Sequence, residues 1–199
     1  MNVPVRSATA ADAPALAGAL ARAFHDDPVM VWAVPDDTRR SRRLPPLFEA
    51  EIVHLHLPRG EVYTTEDIGG GALWSPPGRW RMPGPAVLRT FPRLLAAVGR
   101  RLPIYLRGIA TVEQAHPAEP HWYLAGLGTD PPAQRRGVGS ALLRPVLDRC
   151  DREGHPAYLE CSREGTVAFY HHHGFDVTRT ITLTDDGPTL WLMWRRPAR

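Results

Sequence analysis

Apolar residues in the first half of the chain recur mostly with a helical period. Leu16, Leu20 and Phe24 share this spacing, so residues 9–25 are predicted to form an amphipathic helix with Asp12 as its cap. Further helices are predicted from Asp36 to about residue 57 and, interrupted by prolines, over residues 86–109. Short strands are predicted at residues 3–7, 61–66 and Gly70–Ser75, the last two joined by a hairpin turn. Residues 29–34 are apolar without a clear period.

The second half shows sharper patterns. Residues 121–129 are almost continuously apolar, as expected of a strand buried on both faces, and residues 137–153 carry one apolar helical stripe that ends at Gly154. A strand at Ala157–Cys161, a short helix at 165–173 and a hairpin of strands 175–183 and 189–194 across a turn at 185–188 follow. Strand, helix and strand in succession predict a right-handed parallel crossover. The fold class is therefore α+β (mixed α/β), with a twisted, mostly antiparallel sheet, one parallel strand pair and helices on both faces.

Composition narrows the class of protein. A chain of 199 residues with 43% hydrophobic and 23% charged residues is typical of one globular domain. The net charge of +3 suits an anionic ligand but is far from a nucleic-acid-binding signature. The two cysteines are expected to be free thiols in a reducing cytoplasm, and no apolar stretch approaches the length of a membrane span. We therefore expect a cytoplasmic protein without nucleic-acid or membrane partners, and the Ala/Arg/Pro/Gly-rich composition indicates a bacterial coding bias.

The turn between the strand at 121–129 and the next helix carries the most informative residues. Such a turn leaves several backbone N–H groups without partners at the positive end of a helix dipole, where phosphates commonly bind. Gly137 and Gly139 permit close approach, and Arg135 and Arg136 add charge. A Walker loop is excluded because it needs a lysine and all 24 basic residues here are arginine. The alternative is an ordinary glycine-bearing turn with two solvated arginines.

Two motifs in this half resemble a known family. Gln134-x-x-Gly137-x-Gly139 resembles the acyl-CoA pyrophosphate loop of the GNAT superfamily of N-acetyltransferases, and Phe169-Tyr170-x-x-x-Gly174-Phe175 resembles the segment after that family's fifth strand. Their order and spacing, with one helix and one strand between them, favour this interpretation. Over residues 116–197 the chain looks like the puromycin N-acetyltransferase branch, whereas the first half agrees only loosely.

The resemblance implies roles for individual residues. It implies that the backbone of Leu127, Gly128 and Thr129 forms hydrogen bonds with the pantetheine amides of the cofactor. It also places Thr166, Phe169 and Tyr170 at the thiol end of the cofactor, where the Tyr170 hydroxyl protonates the leaving thiolate. Thr166 stands where related sequences often have asparagine. The pyrophosphate is assigned to the loop residues Gln134, Arg135, Arg136, Gly137, Val138, Gly139 and Ser140.

An acetyl acceptor must also lose a proton before it attacks a thioester. The residues alone leave this general base open among Glu160, His121, His116, Asp26 and Asp27; Glu160 is selected because its strand borders the expected cleft. The run His171–His173 is not predicted to bind metal, since consecutive helical residues point about 100° apart. No metal is expected at the site.

The sequence thus predicts an N-acetyltransferase that moves an acetyl group from acetyl-CoA directly to a primary amine of a small molecule. The whole chain is expected to be one domain, with an acceptor-side half over residues 1–115 and an acyl-CoA-binding half over 116–197, and a homodimer is possible. Two alternatives stay open at this point. One is a catalytically idle module that binds acyl-CoA or a small molecule; the other is a peptide or protein N-acetyltransferase.

Overall fold

A single seven-stranded sheet organises the molecule. The structure is a computed structural model that describes residues 3–59, 61–184 and 187–198. Its strands lie in the order β1-β2-β3-β4-β5-β7-β6, and among them only β4 and β5 pair in parallel, which confirms the predicted fold class. Asp185 and Asp186 of the predicted hairpin turn lie outside the described residues. The strands are β1 Val5–Ser7, β2 Val62–Thr65, β3 Gly70–Ser75, β4 Trp122–Thr129, β5 Ala157–Cys161, β6 Phe175–Thr182 and β7 Thr189–Arg195.

Helices cover both faces of this sheet. They are α1 Ala13–Ala23, α2 Pro28–Ala33, α3 Asp37–Glu51, α4 Gly84–Val98, α5 Leu102–Ala115, α6 Val138–Glu153 and α7 Glu164–His172. The region predicted to be loosely helical over 86–109 divides at Gly99, whose φ of 56° is left-handed, and Pro103 then opens α5, where a missing N–H is tolerated. The apolar stretch at 29–34 belongs to α2, because the Asp27 carboxylate caps it.

The first α-helix is shorter than predicted, and the Asp12 side chain caps the 3-10 turn that leads into it. Asp12 stands at the N-cap position of α1, but its side chain makes no capping bond there. It accepts hydrogen bonds from the Thr9 backbone and hydroxyl, and it receives both Arg6 amino groups at 2.8 Å. Arg6 lies on β1, and helical spacing alone does not reveal this pairing. Asp12 thus occupies the predicted cap position, and its carboxylate forms a capping box with Thr9 at the short 3-10 turn before α1.

Two layers of apolar side chains enclose the sheet. On one face α6 buries Leu142, Leu143 and Val146 against β4 and β5. On the other face α1 lies so close to β4 that a Cβ at Gly128 would stand 2.8 Å from Leu20. No helix of the described residues is both long and apolar enough to cross a membrane.

Candidate active site

The parallel strands β4 and β5 separate halfway along their length. They pair from Trp122 to Leu124 of β4 and from Ala157 to Leu159 of β5, and beyond that point β4 stays paired with β3 alone. Ala125 is an extra residue on β4, because Leu73 pairs with Gly126 while Trp74 pairs with Leu124. A bulge of this kind bends a strand and frees backbone groups.

The separation opens a cavity of about 710 Å³ between the two strands. It exposes one backbone edge of β4 over Leu127, Gly128 and Thr129, which line the cavity. The prediction that this strand is buried on both faces is wrong for its second half: Ala125 is exposed and Leu127 half-buried, because β5 has diverged. The unpaired edge suits an extended, amide-bearing ligand that adds to the sheet.

The loop after β4 presents the start of α6 to the same cavity. Arg135 and Gly137 both have left-handed φ values, 59° and 80°, and the loop is fixed at its start by the Gln134 amide, which donates to the Thr129 carbonyl at 3.1 Å. Gly137 is the N-cap and has no side chain to accept from the helix, while the first backbone bond of α6 runs from Ala141 N to the Gly137 carbonyl. The earlier N–H groups therefore lack partners within the helix.

Space and charge at this helix start both favour an anion. A Cβ at Gly137 would meet nothing within 4 Å, whereas one at Gly139 would lie 3.3 Å from the Phe169 ring. The arginines at 135 and 136 are exposed, and the carboxylate of the nearby Asp130 is held by Arg22 at 2.6 Å. The loop thus offers free donors, positive charge and room, which are the requirements of a diphosphate.

Tyr170 lines the cavity from α7. Its ring makes edge contacts with Phe169 at 5.2 Å and Phe175 at 6.1 Å between centroids, which fix its direction. Burial raises the pKa of the Tyr170 phenol well above its usual value, and the charges of Cys161 and Asp27 act in the same direction. The phenol is consequently a neutral proton donor at physiological pH.

Thr166 lines the cavity one helical turn before Tyr170, but its hydroxyl already forms hydrogen bonds within the protein. It donates to the Arg163 carbonyl at 2.8 Å and lies 3.1 Å from the Cys161 sulfur. The oxygen keeps one acceptor position, while the proton is committed. Thr166 can therefore accept a hydrogen bond from an amide in the cavity but has no free donor, which differs from what an asparagine would offer.

Glu160 stands on β5 between the cavity and a cluster of aromatic and imidazole rings. Its side chain is 8% exposed, and His116 Nδ1 lies 3.4 Å from Oε1. That oxygen is buried without a hydrogen-bond partner in the described residues. Burial, together with the Glu160 charge, raises the pKa of both Tyr123 and Tyr158.

The imidazoles of this cluster form a short chain away from Glu160. His116 stacks on Trp80 at 3.8 Å between centroids, and its Nε2 lies 3.0 Å from Nε2 of His121. The other His121 nitrogen lies within hydrogen-bond distance of the Glu119 carbonyl, and burial lowers the His121 pKa. The structure thus brings together three of the five candidate bases that the sequence left open.

The remaining two candidates, Asp26 and Asp27, are neighbours with different surroundings. Asp26 is 81% exposed and pairs with His25, outside the cavity. Asp27 is 6% exposed and lines the cavity, where its carboxylate accepts from the Ser162 hydroxyl and from two backbone N–H groups of α2. Its contact with Ser162 spans 135 positions of sequence, so no local pattern indicates it.

Most residues assigned from the sequence meet at this cavity. Glu160, Tyr170 and the cofactor-binding candidates line it, with the exception of Arg136. The histidine run does not converge: His171 faces Asp176, while His173 bonds to Ser140 at 3.0 Å between Nε2 and Oγ. Sequence reasoning missed the wall residues Ala23, Phe24 and Arg163, for which a polar-apolar pattern gives no signal.

Comparison with known proteins identifies the class. Residues 89–175 match the acetyltransferase (GNAT) family. The chain is 32% identical to an uncharacterised N-acetyltransferase of Schizosaccharomyces pombe, over 91% of this chain and 78% of that protein. A crystal structure from Corynebacterium glutamicum, described as a histone acetyltransferase and related acetyltransferase, is 30% identical, with a TM-score of 0.76 and coverage of 100% and 98% of the two chains.

A more distant match is informative about the fold alone. The polyamine N-acetyltransferase of Drosophila melanogaster is 15% identical, with a TM-score of 0.63 and coverage of 98% of this chain and 99% of that one. Together with the shared cleft, the nearer relatives show that this chain belongs to the GNAT family. It is accordingly an N-acetyltransferase, an enzyme of acyl transfer.

Proposed function

We propose that this enzyme transfers an acetyl group from acetyl-CoA directly to a primary amine of a small molecule. The observation that carries the proposal is the cavity itself, which is lined together by the uncapped start of α6, the exposed edge of β4 and the half-buried Tyr170. The loop residues from Gln134 to Ser140 would hold the diphosphate, and the backbone of β4 would hold the pantetheine amides. Acetyl-CoA supplies an activated thioester.

The reaction needs two proton transfers, and different residues of the cavity carry them out. The amine nitrogen forms a bond to the acetyl carbon while the carbon–sulfur bond breaks, and Tyr170 gives its proton to the departing sulfur. Glu160 accepts the proton that the amine releases. His116 contacts Glu160, and His121 contacts His116, so these two imidazoles can carry the proton away from Glu160. Cys150 does not line the cavity, and the Cys161 thiol, which does, is buried and donates to the Arg163 carbonyl; both facts favour direct transfer in a ternary complex.

Relatives of similar fold act on amines of this kind. The Drosophila enzyme is described as catalysing the formation of N-acetylagmatine, and another neighbour is an arylalkylamine N-acetyltransferase from Aedes aegypti. These activities belong to those proteins; they support the choice of small amines as the first substrates to try. Cytoplasmic location, bacterial origin and a homodimer stay predictions.

The test is a thiol-release assay with acetyl-CoA and a panel of primary amines. We expect turnover with at least one amine, and we expect Tyr170→Phe to lower kcat by roughly a hundredfold or more with little change in KM for acetyl-CoA. Tyr63→Phe is the matched control, since this tyrosine of β2 donates its hydroxyl proton to Glu61 and does not line the cavity. Acetyl-CoA binding without release for any amine would refute the proposal in favour of an idle binding module, and an unchanged kcat would remove Tyr170 from the acid role.

A further inference from the structure

Asp27 is a buried carboxylate that faces the cavity without a counter-charge. In the described part of the chain no arginine or histidine forms an ion pair with it, although it is 6% exposed. Its hydrogen bonds come from Val29 N at 2.9 Å, Met30 N at 3.3 Å and the Ser162 hydroxyl. These donors and the positive end of α2, which Asp27 caps, stabilise the carboxylate, but no positive side chain in the described residues neutralises its charge.

The hydrogen bonds leave one acceptor position open. An ionised carboxylate has about four acceptor positions. Two backbone donors share Oδ1, and Ser162 occupies one position of Oδ2. The remaining position is on Oδ2, the oxygen that also accepts the hydrogen bond from Ser162, which follows β5. A cationic N–H donor would complete both the hydrogen bonding and the charge.

A second carboxylate in the same cavity is also incompletely partnered. The Oε1 atom of Glu160 is buried without a hydrogen bond in the described residues. Glu160 connects to imidazoles that are able to accept a proton, whereas Asp27 connects to donors that can only stabilise its negative charge. The two carboxylates therefore suit different tasks. Glu160 is suited to accept a proton and release it again, whereas Asp27 is suited to bind a group that stays positively charged.

We propose that Asp27 anchors a second cationic group of the acceptor, so that the preferred substrates are diamines. This inference rests on the proposed function and names the substrate class of the same site. One nitrogen of the diamine loses its proton toward Glu160 and is acetylated, while the other stays an ammonium ion hydrogen-bonded to Oδ2 of Asp27. A monoamine of equal length has no group for that position.

The experiment compares 1,4-diaminobutane with n-butylamine in the thiol-release assay. We expect wild-type kcat/KM to favour the diamine by about tenfold or more, the size of one hydrogen bond between charged groups. Asp27→Asn should bring the ratio close to one, because asparagine retains an oxygen for the helix cap but no charge. The ratio is the deciding quantity, since any indirect effect of Asp27 on Tyr170 alters both substrates equally.

Asp26→Asn is the matched control: it removes the same charge one residue away, on a side chain that is 81% exposed, and should keep the diamine preference. A wild-type ratio near one, or a preference that survives in Asp27→Asn, would overturn the inference. If that variant does not fold, calorimetric titration of the wild-type complex with coenzyme A decides, because equal affinities for the two amines would also overturn it. Diamine-selective binding without any turnover would support Asp27 while refuting the proposed function.

Discussion

Substitution of Gly137 separates the electrostatic part of cofactor binding from the shape of the loop. Gly137 has φ of 80°, and a Cβ there would meet no atom within 4 Å, so a side chain has room but the backbone is left-handed. Asparagine and aspartate are the residues that tolerate this conformation best after glycine, and they have nearly the same size. Gly137→Asn and Gly137→Asp therefore share any backbone strain and differ in one negative charge.

The magnitude of the charge effect follows from Coulomb's law. A carboxylate at residue 137 would stand at the start of α6, on the order of 5 Å from a bound phosphate. Residue 137 is exposed, so the effective dielectric constant lies between surface and bulk values, and the repulsion per unit charge is about 1 to 3 kcal/mol. Since 1.4 kcal/mol is a factor of ten in affinity, acetyl-CoA should bind the Asp variant about fivefold to 150-fold more weakly than the Asn variant.

Calorimetric titration measures both dissociation constants directly. S-acetylpantetheine, which lacks the diphosphate, is the ligand control and should bind the two variants equally. Raising the salt concentration to about 1 M shortens the screening length to about 3 Å and should narrow the gap for acetyl-CoA. Equal dissociation constants for acetyl-CoA in the two variants, or the same penalty for S-acetylpantetheine, would refute phosphate binding at this loop.

Two further predictions concern buried titratable groups. Glu160→Gln should lower kcat by roughly a hundredfold while acetyl-CoA binding is unchanged. Raising the pH should restore part of the rate, because more of the amine is then uncharged. A rate equal to that of the wild type would exclude Glu160 as the proton acceptor. Burial, with a contribution from the Arg59 charge, lowers the pKa of His56 to about 4, so its contribution to stability is complete above pH 6.5 and is lost as the pH falls toward 4. Urea unfolding at pH 7.5 and pH 5 should therefore show about 2 kcal/mol more acid destabilisation in wild type than in His56→Gln, and equal losses would contradict the burial argument.

Local signals were sufficient for the elements that build the cofactor side. The spans of β3 and β5 agree with the structure at both ends, because apolar strands between turn residues are strong local patterns. The end of α6 at Gly154 also agrees, since that glycine has the left-handed φ of 71° that a helix C-terminus favours. These features depend on a few consecutive residues, which a sequence displays directly.

Features that depend on how distant segments pair with one another could not be predicted from such local patterns. The bulge at Ala125 and the divergence of β5 decide which half of β4 is buried, and neither is visible in the apolar run itself. Asp12 shows a related limit at the other end of the chain: its place at the start of the helix was predicted, but its pairing with Arg6 of β1 was not. In each case a tertiary partner determined the outcome among locally acceptable alternatives.

The same distinction explains why the two substrates of this enzyme differ in how readily a sequence identifies them. A diphosphate is held largely by backbone N–H groups, and those come from one continuous loop whose glycines and arginines stand together in the chain. An amine would be held by side chains that converge from distant elements: the proposed anchor Asp27 precedes α2, and the proposed proton acceptor Glu160 lies on β5. Substitutions that exchange one amine for another need alter only such scattered positions, while the loop stays unchanged. Acceptor specificity within this family should therefore be sought in the residues that oppose the β4 edge across the cavity, not in the motif that identifies the family.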